Sequence, residues 1–92
     1  MQLKWAEYAL YKYSEQLSYI ALRNPTAAEE IMAAIEEALD RILLFPRIGR
    51  VGRYPGTFEC LIKKTPLIIV YEIHEEEVIT VLNILHTAQD YP

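Results

Sequence analysis

The chain has 92 residues, 52% of them hydrophobic, with a formal net charge of −4 and a single cysteine, Cys60. This length predicts one domain, residues 1–92, and the hydrophobic content excludes a disordered chain, while one cysteine excludes an internal disulfide. Because there is no zinc-ligand cluster, no signal peptide and no apolar run longer than residues 67–71, we expect no metal or cofactor, no contact with a membrane, and a cytoplasmic location.

The first half of the chain predicts a short strand followed by a helix. Residues 2–5 have extended character, and from Ala6 the apolar residues recur at steps of three and four, which predicts a helix ending near Leu22. The expected apolar face of this helix is Ala6, Leu10, Tyr13, Leu17, Ile20 and Ala21. Asn24-Pro25 then predicts a new helix start, because asparagine is a good N-cap and proline is tolerated in the first turn.

The second helix is expected over residues 25–44, where Phe45-Pro46 ends it. Its apolar stripe is Ala28, Ile31, Ile35, Leu39 and Ile42. Because only two or three residues join the two helices, they must lie antiparallel as a helical hairpin.

The second half of the chain predicts three strands, at residues 57–64, 67–73 and 78–86. In the first strand the residues of one face are Phe58, Cys60 and Ile62, and they alternate with Glu59, Leu61 and Lys63 on the other. We expect an α+β fold in which the N-terminal strand precedes an antiparallel helical hairpin packed on one face of a small antiparallel sheet. Since two helices cover one face only, the other face should expose apolar surface of the kind that binds partners.

A glycine-rich loop at residues 44–60 joins the two halves and carries much of the positive charge. Residues 41–64 hold six basic residues and one acid, Glu59, whereas the flanking segments are acidic. Such a loop is either a helix-to-strand connector with ordinary solvated arginines or a surface that binds phosphate or carboxylate groups. The expected partner-binding residues are Arg47, Arg50, Arg53, Lys63 and Lys64.

A series of short motifs runs along nearly the whole chain: Trp5-Ala6, Tyr19-Ile20-Ala21, Asn24-Pro25, Ala27-Ala28, Phe45-Pro46, Gly49-Arg50, Gly52-Arg53, Pro55-Gly56-Thr57, Ile69-Val70-Tyr71, Ile84, His86, Gln89 and Tyr91-Pro92. In this order and spacing they resemble the RelE/ParE toxin superfamily of type II toxin–antitoxin systems, closer to the ParE branch. The resemblance implies a cognate antitoxin that wraps the toxin, in a homodimer or a toxin–antitoxin hetero-oligomer. It also implies one of two targets: ParE-type members poison DNA gyrase, and RelE-type members cut mRNA on the ribosome without a metal.

Metal-free RNA cleavage needs a base, an acid and cations at the phosphate. Here Glu59 would be the base and His86 the acid, although a histidine at a strand end is as readily a surface residue. Two departures from the family argue against this enzyme activity. Relatives commonly carry arginine after Pro-Gly-Thr and after the tyrosine of the central strand, where this chain has Phe58 and Glu72.

The leading hypothesis is therefore a ParE-like, growth-inhibiting toxin of the plasmid-stabilization type that binds and poisons DNA gyrase and is neutralised by its antitoxin. The alternatives are a ribosome-dependent mRNA endonuclease and a degenerate toxin that acts only as a co-repressor with its antitoxin. These alternatives share one scaffold, so the fold alone does not separate them.

Overall fold

The computed structural model describes residues 2–75 and 78–87. Its elements are, in chain order, β1 (Gln2–Trp5), α1 (Glu7–Arg23), α2 (Pro25–Leu44), β2 (Arg50–Val51), β3 (Thr57–Leu61), β4 (Leu67–His74) and β5 (Val78–His86). This is the predicted α+β order of strand, helical hairpin and three-strand meander. Part of the predicted turn at residues 74–77 and the motif residues Gln89, Tyr91 and Pro92 lie outside the described residues.

Asn24 separates the two helices as predicted. Its side chain accepts a hydrogen bond from the backbone N–H of Ala27 at 3.1 Å, and Pro25 occupies the first turn of α2, where a missing N–H costs nothing. The predicted stripe of α2 is confirmed, with Ile35 and Ile42 almost fully buried. Within the described part of the chain, no helix has the length and apolar character needed to cross a bilayer.

The predicted apolar face of α1 is wrong in part. Ala9 is fully buried, whereas Leu10 is 47% exposed and Ala21 is also exposed. The small side chain of Ala9 faces the core, where α1 lies against β5, and a residue one position further along a helix points about 100° away. Leu10 therefore turns towards solvent, and the buried face continues through Tyr13.

The sheet has five strands in the order β1-β5-β4-β3-β2. The β2–β3, β3–β4 and β4–β5 pairs are antiparallel, but β1 pairs with β5 in parallel, so the sheet is mixed rather than antiparallel as expected. Sequence reasoning also missed β2, and β3 ends at Leu61 instead of continuing to residue 64. Lys64 has a left-handed φ of 62°, which suits the turn into β4 and not a strand.

The helical hairpin covers one face of this sheet and encloses the core. The core contains Ala9, Ile35, Ala38, Leu39, Ile42, Cys60, Ile62, Leu67, Ile69, Tyr71, Ile79, Val81 and Ile84. On the opposite face the expectation of exposed apolar surface is right for Leu61, which is 58% exposed, but wrong for Val70, which is 4% exposed. Tyr54 of the glycine-rich loop lines a small cavity together with Val70 and Asn83. The loop therefore folds back over part of this second face.

Candidate functional site

The buried side chain of Tyr71 holds the first residues of the loop between α2 and β3. The Tyr71 hydroxyl, in the middle of β4, donates to the carbonyl oxygen of Pro46 at 2.6 Å and accepts from the backbone N–H of Gly49 at 3.2 Å. Burial raises the pKa of Tyr71, and the Gly49 N–H partly opposes that rise by favouring the phenolate. One core side chain thereby fixes the start of the glycine-rich loop.

Glu59 fixes the middle of the same loop. Its Oε1 atom accepts from Nε and Nη2 of Arg50 at 3.3 and 3.1 Å, and its Oε2 atom accepts from the backbone N–H of Arg53 at 3.2 Å. The residue is only 4% exposed, whereas the Arg50 side chain is 70% exposed. Glu59 therefore joins two loop residues to β3 from within the protein surface.

This arrangement bears on the predicted role of Glu59 as a general base for RNA cleavage. The carboxylate is buried and hydrogen-bonded to Arg50 and to the Arg53 backbone. A carboxylate with one oxygen paired to a guanidinium and the other hydrogen-bonded to a backbone N–H is poorly placed to accept a proton from a substrate hydroxyl.

Gly49 stands where no larger residue fits. A Cβ atom at this position would lie 2.8 Å from the carbonyl oxygen of Glu59 and 2.9 Å from the Tyr71 hydroxyl oxygen. Gly56 differs, because its φ of +81° is the left-handed conformation that glycine adopts without cost and a Cβ there would meet nothing within 4 Å. The two glycines thus serve close approach and turn geometry, respectively.

The predicted cations do not form one cluster. Arg50 and Arg53 converge on Glu59, and Arg47 is exposed in the turn after α2. Lys63 and Lys64 are exposed in the turn that follows β3, beyond the part of that strand that β2 covers. Their roles in partner binding remain predictions.

His86 lies apart from Glu59. It pairs with Leu67 at the end of β5 and lines a groove of about 470 Å³ beside α1, together with Glu15 and Tyr19. Glu59 lines different cavities, on the loop side of β3. Glu59 on β3 and His86 on β5 are two strands apart across the sheet and are offset by three residues along the strand direction. Their Cα atoms are therefore roughly 14 Å apart. The structure does not bring the proposed acid and base together.

The two departures from the family have ordinary structural roles. The Phe58 ring stacks on that of Tyr71, with centroids 5.6 Å apart and an interplanar angle of 23°, and it packs against the core. Glu72 Oε1 lies 2.5 Å from Nε2 of His74, within hydrogen-bond distance. Neither position places a cation on the sheet.

Cys60 is a buried core residue, as predicted, and is 5% exposed. Burial raises the pKa of its thiol, and the nearby Arg41 guanidinium only partly offsets this effect. A thiol that holds its proton this tightly is a poor nucleophile. Among residues 2–75 and 78–87, no three His, Cys, Asp or Glu side chains are grouped so that they could hold a metal ion.

The Cys60 thiol should make the fold less stable in alkali. Its pKa is raised in the folded chain above the ordinary value of 9.0, so this contribution to stability is complete below pH 9 and is lost as the pH rises through the folded-state value. We expect the free energy of unfolding of Cys60→Ala to fall less steeply above about pH 9 than that of the parent, by up to ~1.4 kcal/mol per pH unit. Urea titrations between about pH 8 and 10.5 measure both slopes, and parallel curves would contradict the assignment.

Sequence reasoning missed two polar side chains near the loop. Arg41 Nη2 and Asn83 Oδ1 are buried and have no hydrogen-bond partner among the described residues. No local pattern marks such atoms, because their isolation depends on how the loop and sheet pack.

Comparisons with known proteins agree with this fold. The family model of the ParE toxin of type II toxin–antitoxin systems, parDE, matches residues 3–91. The protein Y4kP of Sinorhizobium fredii, named as a candidate toxin, is 32% identical over 91 residues, which cover 99% of this chain and 93% of that protein.

Solved structures give the same result for the fold. A chromosomal ParDE system from P. aeruginosa has a TM-score of 0.79 at 19% identity, covering 94% of this chain and 95% of that one. The E. coli RelBE toxin–antitoxin complex has a TM-score of 0.66 at 19% identity, covering 96% and 98%. Since the family model spans almost all of the sequence, the protein belongs to the ParE toxin family of type II toxin–antitoxin systems, within the RelE/ParE superfamily.

Proposed function

We propose that this toxin acts by binding and poisoning DNA gyrase and that a cognate antitoxin neutralises it. The ParE family match supports the choice of target, and the P. aeruginosa and E. coli neighbours are toxin–antitoxin assemblies. The proposal rests mainly on one observation: Glu59 and His86, the base and the acid that RNA cleavage would require, lie far apart.

That dispersal has a direct chemical consequence. A metal-free ribonuclease needs its base and its acid within hydrogen-bond reach of one ribose and one leaving oxygen, roughly 3 Å from each. Here Glu59 is buried against Arg50, and His86 lines a groove beside α1. An enzyme of the RelE kind is therefore the weaker alternative, and action through binding is favoured.

Induction of the toxin in a bacterial host tests the proposal, with DNA breaks and mRNA cleavage measured separately. Gyrase-dependent DNA breaks with intact mRNA are expected. Ribosome-dependent cuts in mRNA would reject the proposal in favour of an endonuclease, and normal growth without either lesion would favour a co-repressor. In vitro, the purified toxin should stabilise cleaved DNA when gyrase is present and leave DNA intact when gyrase is absent.

The antitoxin is expected to lay a segment over the second sheet face with acidic groups near Arg50 and Arg53. Reversing both charges, Arg50→Glu with Arg53→Glu, should weaken the complex at least tenfold, because charge-assisted pairs across an interface are lost. Arg53→Glu alone leaves the Arg50–Glu59 pair in place and separates lost pairing from a disturbed loop. Lys4→Glu, at an exposed position on β1, is the matched control. Unchanged affinity in the double variant would discredit this placement.

A further inference from the structure

A cavity of about 410 Å³ lies at the edge of β3, beyond the end of β2. Because β2 pairs only with Phe58 and Glu59, β3 continues past it without a neighbour from β2 on that side. The cavity is lined by Arg41, Ile48, Gly49, Arg50, Glu59, Cys60, Leu61, Ile68 and Thr87. It is therefore enclosed by the last turn of α2, the loop and the sheet edge.

Arg41 gives this cavity its chemistry. Its Nε donates to Glu37 Oε2 at 2.6 Å, and the guanidinium also lies beside the Cys60 thiol, a weak acceptor. Its Nη2 is buried and has no hydrogen-bond partner of ordinary geometry among the described residues. A guanidinium N–H removed from water without an acceptor is unfavourable. Glu59, the acid that lines the same cavity, already accepts from Arg50 and from the Arg53 backbone. A strong acceptor for Arg41 Nη2 is therefore expected from another molecule, because sulfur is only a weak acceptor.

The rest of the cavity indicates what kind of molecule this is. Ile48 and Leu61 are 46% and 58% exposed on its lining, so the anionic group should be carried between apolar groups. A doubly charged phosphate is disfavoured, because the Glu59 carboxylate also lines the cavity and would repel it more strongly than it repels a single carboxylate.

We propose that this cavity receives one acidic side chain of the antitoxin, whose carboxylate accepts from Arg41 while the flanking apolar residues cover Ile48 and Leu61. This inference rests on the proposed toxin–antitoxin pairing and adds Arg41, which lies outside the loop arginines, as an anchor. Lysine should be a poor substitute at this position, because a single ammonium group does not present the separate Nε and Nη2 donors of the guanidinium to Glu37 and to the antitoxin.

The test uses the complex of this toxin with the protein encoded by the adjoining reading frame, and it measures the dissociation constant. Arg41→Gln should weaken binding about ten- to a hundredfold, and Arg41→Lys should recover only part of the loss. Two controls are matched. Glu37→Gln breaks the same ion pair but leaves the guanidinium, and Arg23→Gln removes an arginine from the last turn of α1. Both controls should bind as the parent does.

Changing each acid of the antitoxin to its amide identifies the partner residue. One such change should weaken the parent complex and have little further effect on Arg41→Gln, which is the signature of direct coupling in a double-mutant cycle. If Glu37→Gln weakens binding as much as Arg41→Gln, or if no acid couples to Arg41, the inference is overturned. Competition of inorganic phosphate with the antitoxin at this cavity would also overturn it. Absence of any complex with the parent toxin would instead reject the proposed pairing itself.

Discussion

Gly49→Ala is expected to lower the free energy of unfolding by about 3 kcal/mol, the upper end of the cost of overpacking a well-packed site. The new methyl group would lie 2.8 Å from the Glu59 carbonyl oxygen and 2.9 Å from the Tyr71 hydroxyl oxygen. The first belongs to the backbone of β3 and the second to a fully buried ring, so neither can move away cheaply. Urea denaturation followed by circular dichroism measures the loss.

Gly56→Ala is the control for this prediction. It places the same methyl group where nothing lies within 4 Å, but at a φ of +81°. The cost should then be only the conformational one, about 1 kcal/mol. If the two variants lose equal stability, close approach at Gly49 is not what requires glycine there.

Tyr71→Phe is expected to cost about 2–3 kcal/mol, although it removes a single oxygen atom. The change leaves the Pro46 carbonyl and the Gly49 N–H without the hydroxyl that joins them, and unsatisfied buried backbone groups cost more than a lost exposed bond. The Phe58 ring can still stack on the new phenyl ring, so the hydrophobic packing is retained. Hydrogen exchange of the Gly49 amide should become faster together with the loss in stability.

Tyr11→Phe makes the identical chemical change at an exposed position. The Tyr11 hydroxyl donates to Glu15 Oε2 at 3.0 Å, and water can replace this bond. We expect almost no change in the free energy of unfolding there, far less than for Tyr71→Phe. A comparable loss in both variants would show that the Tyr71 hydroxyl does not anchor the loop.

The elements that could be predicted from sequence are those encoded by local patterns. The α2 stripe repeats at helical spacing, and Asn24-Pro25 carries both a cap and a helix start, so these features need no tertiary information. Which face of α1 turns towards the sheet was harder to predict. Ala9 and Leu10 are both apolar, and the helical period does not say which of them is buried. The two-residue β2 is too short to leave any alternation.

The candidate site was less predictable for a specific reason. The strand pattern places Glu59 on the face away from the helices, and nothing local indicates that the loop returns to bury it. Whether Glu59 and His86 meet depends on strand order and on the register, which includes an irregularity between Val70 and Tyr71. Those are properties of pairing between distant segments, which a linear motif does not record.

The parallel pairing of β1 with β5 joins the two ends of the chain, with Gln2 opposite Val78 and Trp5 opposite Val81. During synthesis β1 must therefore remain unpaired until β5 has been made. Closing so long a segment is slow, and an incomplete nascent chain lacks the partner that its leading edge requires. A product that stops before β5 should consequently fail to form the five-stranded sheet.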